Sequence, residues 1–248
     1  MGVLAGKVAV VTGAGAGLGR AVALGLAEEG AHVFAVSIVR TELAELAATA
    51  AAAGLTVETI EADVGDEGDT RRVAETVLNT EARLDVLVNN AGVIAVKPIE
   101  ETEPEEWDRI LRTNLRGPYL YCRAFVPAMK EQRAGTIVNV TSMSGVMGFV
   151  GEAAYCPSKF GLEGLTQTLA LELAPWRIRV CSVHPGKAMR TPMSMTTYDE
   201  AAKRDWVDPA ELAPGFVRLA ASDDERISGR RFDVWRVAHE GVAGAIGS

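Results

Sequence analysis

Short apolar runs alternate with amphipathic stretches along nearly the whole chain. Lys7–Thr12, Ala31–Ser37, Thr56–Asp63, Leu84–Asn89, Thr136–Thr141, Arg179–His184 and Arg231–Val234 read as strands. They are continuous apolar runs and do not alternate with polar residues, as expected of parallel strands covered by helices on both faces. Between them, helical patterns run over Leu18–Glu29, Thr41–Ala53, Glu67–Glu81, Glu105–Arg133, Ala154–Ala174 and Pro209–Ala221. The acidic run Glu100–Glu106 reads as a helix start, with Thr102 or Glu103 near the cap and Pro104 in the first turn. Repeated strand–helix alternation predicts an α/β fold, a doubly wound sheet between two layers of helices. No linker or internal repeat divides it, so residues 1–248 are expected to form one domain. Lys187–Asp208 is the least regular stretch and is predicted to be a mobile loop beside a ligand. The tail from Arg236 to Ser248 is expected to be loose or to contact another subunit.

Composition narrows the function classes. The chain of 248 residues carries 25 basic and 33 acidic side chains, a net charge of −8. That balance argues against a general nucleic-acid binder, which draws on excess Lys and Arg. Hydrophobic residues at 48% and charged residues at 23% are those of an ordinary globular protein and not of a disordered one. No apolar run approaches the ~18 residues of a membrane helix, and the N-terminus lacks a basic segment leading into an apolar signal core. Cys122, Cys156 and Cys181 form no disulfide or metal spacing, and His32, His184 and His239 are scattered. The expectation is a cytoplasmic protein with no catalytic metal, no membrane partner and no nucleic-acid partner. Cys156, beside Tyr155, is expected to be a packed helix residue and not a reactive thiol.

Three groups of residues carry candidate chemistry. Thr12-Gly13-Ala14-Gly15-Ala16-Gly17-Leu18-Gly19 follows the first strand and opens the first helix. Glycines there permit a tight turn and close approach to a pyrophosphate, while the helix N-terminus supplies amide donors. The spacing of Gly13, Gly17 and Gly19 is G-x-x-x-G-x-G and differs from G-x-G-x-x-G. Asp63 ends the third strand and Asn89-Asn90-Ala91-Gly92 follows the fourth, so both fall on the carboxyl edge where open parallel sheets bind ligands. Finally, Ser142 follows the fifth strand, while Tyr155 and Lys159 are four apart on one helical face. An ammonium beside a phenol favours phenolate, and a serine hydroxyl can hold a carbonyl oxygen while the phenol exchanges its proton.

Together, TGAGAGLG, NNAG, Asn114, Ser142 and YCPSK resemble the single-domain short-chain dehydrogenase/reductase family, over almost the whole chain from Lys7 to about Val234. The resemblance implies a Rossmann-like three-layer sandwich with a seven-stranded parallel sheet, and a bound nicotinamide dinucleotide. It makes Tyr155 the general acid/base, Ser142 the residue that orients the substrate oxygen, and Lys159 the residue that lowers the tyrosine pKa and holds the nicotinamide ribose. Asn114 is then the fourth catalytic member, next to an irregularity at Gly117-Pro118. The implied cofactor set is Gly13, Gly15, Gly17, Leu18 and Gly19 in the loop, Asp63 and Val64 at the adenine, and Asn89, Ala91 and Gly92 along the adenosine. Pro185 and Gly186 border the nicotinamide, and Thr191 stands one place later than the family's usual threonine.

NAD-specific members carry an acidic residue at the end of the second strand. Here Ser37 stands there, followed by Ile38, Val39 and Arg40. Ser37 and Arg40 are therefore expected to accommodate a 2′-phosphate, favouring NADP(H). NAD(H) stays possible, because Ala16 and Ile38 fill the places where NADP-using members commonly carry a basic residue. The resemblance implies interconversion of a ketone and a secondary alcohol of small-molecule size, and a homotetramer or dimer formed through the helices containing Asn114 and Tyr155. Two readings compete: a catalytically silent dinucleotide-binding sensor or scaffold, and a 3-oxoacyl thioester reductase. Enoyl reduction is disfavoured by the four-residue spacing of Tyr155 and Lys159.

Overall fold

The structure is a computed structural model that describes residues 2–197 and 205–246. Seven parallel strands form one sheet in the order β3-β2-β1-β4-β5-β6-β7. They are β1 (Val8–Thr12), β2 (His32–Ser37), β3 (Val57–Glu61), β4 (Val86–Asn89), β5 (Gly135–Val140), β6 (Ile178–His184) and β7 (Arg231–Asp233). The helices are α1 (Gly17–Glu28), α2 (Arg40–Ala52), α3 (Glu67–Glu81), α4 (Pro104–Leu111), α5 (Gly117–Gln132), α6 (Tyr155–Leu173), α7 (Pro192–Thr197), α8 (Ala213–Ala221) and α9 (Val234–Ile246).

The pleat explains why the strands read as unbroken apolar runs. Along β1, Ala9 and Val11 pack into one core while Val8 and Val10 pack into the other. Val33 and Ala35 of β2 follow the first pair, Phe34 and Val36 the second. The first core is closed by Val22 and Leu26 of α1, Leu43 and Leu46 of α2, Phe216 and Leu219 of α8, and Val237 of α9. The second is closed by Val73 and Val77 of α3, Tyr121, Phe125 and Met129 of α5, and Leu173 of α6. The expected doubly wound, three-layer fold is what the structure has.

Three expectations need correction. The pattern over Glu105–Arg133 is not one helix: α4 starts at Pro104 with Glu103 as its cap, then a π-turn spans Arg112–Arg116 before α5. Pro118 has no N–H for the carbonyl four residues back, that of Asn114, so a regular ladder cannot pass through this point. The tail is not loose: α9 buries Val234, Val237 and Ala238 and bends at Gly241 (φ 82°), with Val242, Ala245 and Ile246 packed on the first core. Its apolar positions recur at helical spacing, which the interspersed glycines obscured. The stretch Lys187–Asp208 is more ordered than expected at both ends. Met189 bridges Val207, and α7 follows directly. The part of that stretch from 198 to 204 lies outside the described residues. Among the described residues, no helix is long and apolar enough to cross a membrane.

At the edge of the sheet where β1 and β4 begin, the buried Asp85 carboxylate accepts the Val8 N–H (3.0 Å), the Arg83 guanidinium and Lys7 (3.3 Å). Burial pushes this carboxyl up, but Arg83, the Val8 amide and Lys7 outweigh it and hold the group below the usual carboxylate range. A depressed carboxyl stabilises the fold above its unfolded pKa, and the contribution fades as pH falls through the folded one. Asp85→Asn should therefore cost about 1–3 kcal/mol at neutral pH. The gap to wild type should narrow as pH drops below about 4. Urea unfolding at two pH values measures this, and equal stability at neutral pH would refute it.

Candidate active site

The carboxyl ends of the strands open onto a cleft of about 560 Å3. It lies where the chain order reverses, between β1, followed outward by β2 and β3, and β4 on its other side. Its walls include Gly13, Gly17, Leu18 and Gly19 of the glycine loop, Ser37, Asp63 and Val64 after β2 and β3, and Ala91 and Gly92 after β4. Tyr155, Lys159, Pro185 and Thr191 complete the expected residues found on it.

The glycine loop is held by the segment after β4. The Thr12 hydroxyl accepts the N–H groups of Asn90 (3.0 Å) and Ala91 (3.1 Å), and the Asn90 amide donates to the carbonyls of Thr12 and Gly13. A Cβ on Gly13 would lie 2.7 Å from the Ala91 Cα, and one on Gly19 would collide with the Gly13 carbonyl. Only bare backbone fits there. The cap of α1, Ala16, has no side-chain bond to the first-turn amides, so they remain available as donors. This bare cradle with open amides fits the pyrophosphate of a dinucleotide.

At the other end, α6 starts with Tyr155, and Lys159 follows one turn later. Lys159 is buried; its Nζ donates to the Val140 carbonyl (2.9 Å) and stands 5.5 Å from the centre of the Tyr155 ring. Burial pulls its pKa down to about 8, against the opposing pull of Glu163 one turn further on. Asn114, fully buried in the π-turn, accepts the Val93 N–H (2.8 Å) and donates to the Val93 carbonyl (2.9 Å) and the Ser158 hydroxyl (3.0 Å). Lys159 Nζ and Asn114 Oδ1 both approach Gly92, 3.7 and 3.4 Å from where its Cβ would sit. Ser142 caps a short turn after β5: its hydroxyl accepts the Ser144 N–H and donates to the Ser144 hydroxyl, which donates to buried Glu152 (2.6 Å). Neither Ser142 nor Asn114 is among the residues that line the cleft, whereas their chain neighbours Thr141 and Thr113 are; Ser142 is partly exposed and Asn114 buried.

Other expected residues lie elsewhere. Asn89 does not reach the cleft; as the last residue of β4 it turns into the core, donating to Asn139 (2.8 Å), while the pleat sends Asn90 to the glycine loop. Arg40 is off the cleft wall, 84% exposed and paired with Glu61 at 2.6 Å. Gly15 sits behind the wall against Ser37 and Glu42, and Gly186 backs onto Asp233, leaving Pro185 to border the cleft. Thr191 lies over Gly17 and caps α7 through Ser194. Asp63 lines the cleft, but its carboxylate is engaged by Arg112 (2.8 Å) and by the Gly65 N–H (2.8 Å).

Several wall residues were not anticipated: Glu42, Asn90, Arg109, Arg112 and Thr113. Asn90 was readable as the neighbour of Asn89 in NNAG. The others come from the first turn of α2 (Glu42), the end of α4 (Arg109) and the π-turn (Arg112, Thr113), where no motif marks them. Cys156 is buried, and burial pushes its thiol up, with Sγ against Glu152 at 3.4 Å. That suits a packed side chain.

Comparison with known proteins agrees with this geometry. A family model described as short chain dehydrogenase matches residues 7–202. A 3-oxoacyl-(acyl-carrier-protein) reductase FabG of Thermotoga maritima is 35% identical over 235 residues, 92% of this chain and 95% of that one. A cyclopentanol dehydrogenase of Comamonas sp. is 40% identical over 200 residues, 80% of this chain and 79% of that one. Among solved structures, a candidate NAD(P) dependent gluconate 5-dehydrogenase of Beutenbergia cavernae with low-occupancy NADP superposes with a TM-score of 0.86. It is 36% identical and covers 94% of this chain and 97% of its own. Sheet order, glycine cradle and these relatives agree, and the chain belongs to the short-chain dehydrogenase family.

Proposed function

We propose that the protein is an NAD(P)-dependent oxidoreductase that interconverts a secondary alcohol and a ketone, with Tyr155 as proton donor and acceptor. The observation that carries this reading is the packing of buried Lys159 beside Tyr155 at the end of a cleft that begins at the glycine cradle. When bound, the nicotinamide supplies or accepts the hydride. Everything else falls to the chain. The Lys159 ammonium favours the phenolate of Tyr155 and so brings its proton within reach of working pH. Ser142, pinned through Ser144 to Glu152, holds the substrate oxygen against the phenol. Asn114 fixes the Val93 backbone against α6 and so shapes the wall facing Tyr155.

The segment of chain that precedes Tyr155 exposes apolar side chains. Met143, Val146, Met147 and Phe149, in the segment between Ser142 and Tyr155, are all more than 40% exposed, and Met189 and Met193 line the cleft. This supports a hydrophobic alcohol or ketone of modest size, in line with the cyclopentanol dehydrogenase among its relatives. Reduction of a 3-oxoacyl thioester is the second reading, favoured by a relative of that name that matches nearly the full length of both chains. The NADP bound in one relative and the absence of an acid at Ser37 support NADP(H); the position of Arg40 off the cleft wall does not. A homo-oligomer through α5 and α6 is supported by Tyr119, Phe160 and Leu171, apolar and exposed on those helices.

An absorbance screen of cyclic ketones, steroids, sugars and acyl thioesters with NADH and NADPH tests the substrate class. Turnover confined to acyl thioesters would select the second reading. With the best substrate, Tyr155→Phe should lower kcat by on the order of a hundredfold or more, as expected on losing a positioned acid–base group, with little change in nucleotide Kd. Unchanged turnover would remove Tyr155 from this role. Lys159→Ala should weaken nucleotide binding and lower kcat together, and loss of only one of the two would divide the roles assigned to it.

A further inference from the structure

The adenosine ribose is where a nicotinamide dinucleotide declares its form, by a free 2′-hydroxyl or a 2′-phosphate. In this chain the strand end that faces it carries Ser37, while Arg40, three residues on, is exposed and paired with Glu61 in an adjoining groove and does not line the cleft itself. The acidic side chain that does reach the cleft comes from the first turn of α2. Glu42 lines the wall beside Ser37 and Ala16. A Cβ on Gly15 would lie 2.5 Å from Glu42 Oε2, 2.9 Å from Glu42 Cβ and 2.9 Å from Ser37 Oγ. The glycine loop is thus bare at the point where a carboxylate and a hydroxyl converge on it.

Resting on the dinucleotide-binding reading, we propose that Glu42 is the residue that reads the adenosine ribose, and that it selects NAD(H) over NADP(H). This reverses the preference expected from Ser37 and Arg40. A carboxylate offers only acceptors, which suit the two hydroxyl donors of an unmodified ribose. A 2′-phosphate brings a second anion with acceptors only, and in a half-buried, partly screened cleft the two repel. The Ser37 hydroxyl accepts the Val39 N–H (3.2 Å), which leaves its proton to give to a ribose oxygen. Among the described residues, no cation forms an ion pair with Glu42 that would cancel its charge. Arg40 is held by Glu61 and Arg20 by Glu45, both outside the cleft wall.

The sequence pattern hides this arrangement because the carboxylate arrives five residues after the strand end, on the next element. Gly15 makes it possible, since any side chain there would displace Glu42 from Ser37.

Binding of NADH and NADPH by nucleotide fluorescence, without substrate, tests the proposal on wild type, Glu42→Gln, Glu42→Ala and Arg40→Ala. Wild type should bind NADH on the order of tenfold tighter than NADPH or more, the scale of one like-charge contact in a partly screened site. Both Glu42 variants should shrink that ratio by a similar factor, chiefly by gaining NADPH affinity, with thermal unfolding unchanged. Arg40→Ala should leave the ratio where it was. Tighter NADPH binding by wild type would overturn the assignment, as would Glu42 variants that fold normally yet keep the wild-type ratio. Loss of NADPH affinity in Arg40→Ala would return the discrimination to the basic residue. Failure of wild type to bind either nucleotide would overturn the dinucleotide reading itself, and this proposal with it.

Discussion

The structure depends on a parallel sheet buried on both faces. Backbone groups in such a sheet are satisfied only by neighbouring strands, so side chains must be apolar on both sides and every connection must cross over through a helix. Those crossovers wind outward from β1 toward β3 in the first half and from β4 toward β7 in the second. The two series part company at the carboxyl ends of β1 and β4, and among the described residues no crossover helix fills the gap. The cleft is what remains of the space between them. Thr12, through its bonds to Asn90 and Ala91, ties the two lips together and keeps the glycine loop at a fixed depth.

An acidic chain must hold a ligand that is itself an anion. Net charge favours no such ligand, so in the proposed reading binding would rest on local donors: the amides at the start of α1 and the buried ammonium of Lys159. Arg109 and Arg112 add positive charge to the wall, although Arg112 is already committed to Asp63. The whole-protein charge and the charge of the cleft are separate quantities here, and only the second bears on binding.

How legible the molecule was follows from the range of each interaction. All seven strands and most helices were readable because their signals are local: a run of β-branched residues, a helical period, a proline at the first turn. The glycine loop and the Tyr155–Lys159 pair were readable for the same reason, each being set by spacing within one segment. The break at Asn114 was only hinted at by Pro118, and α9 was hidden by its glycines. What could not be read was the direction of a side chain at the end of a strand. Asn89 and Asn90 differ by one step of the pleat, and that step sends one to Asn139 in the core and the other to the cleft. Arg40 and Glu42 differ by two steps of a helix, and about 200° of rotation separates the side chain that meets Glu61 from the one that meets Gly15.

The proposed catalytic end shows how long-range contacts complete what local spacing begins. Glu163 lies one turn beyond Lys159 on α6, where its charge works against the effect of burial on the ammonium. Yet Glu163 is itself buried, and a buried carboxylate needs partners. It finds them on two strands: the Ser182 hydroxyl donates to it at 2.6 Å from β6, and Arg231 pairs with it at 3.1 Å from β7. Arg231 then donates to the Ser142 carbonyl at 3.0 Å. One guanidinium therefore couples the carboxylate that supports Lys159 to the backbone that carries Ser142. A residue 89 positions from Ser142 in the chain sets the position of that serine, and no inspection of the segment around Ser142 could have named it.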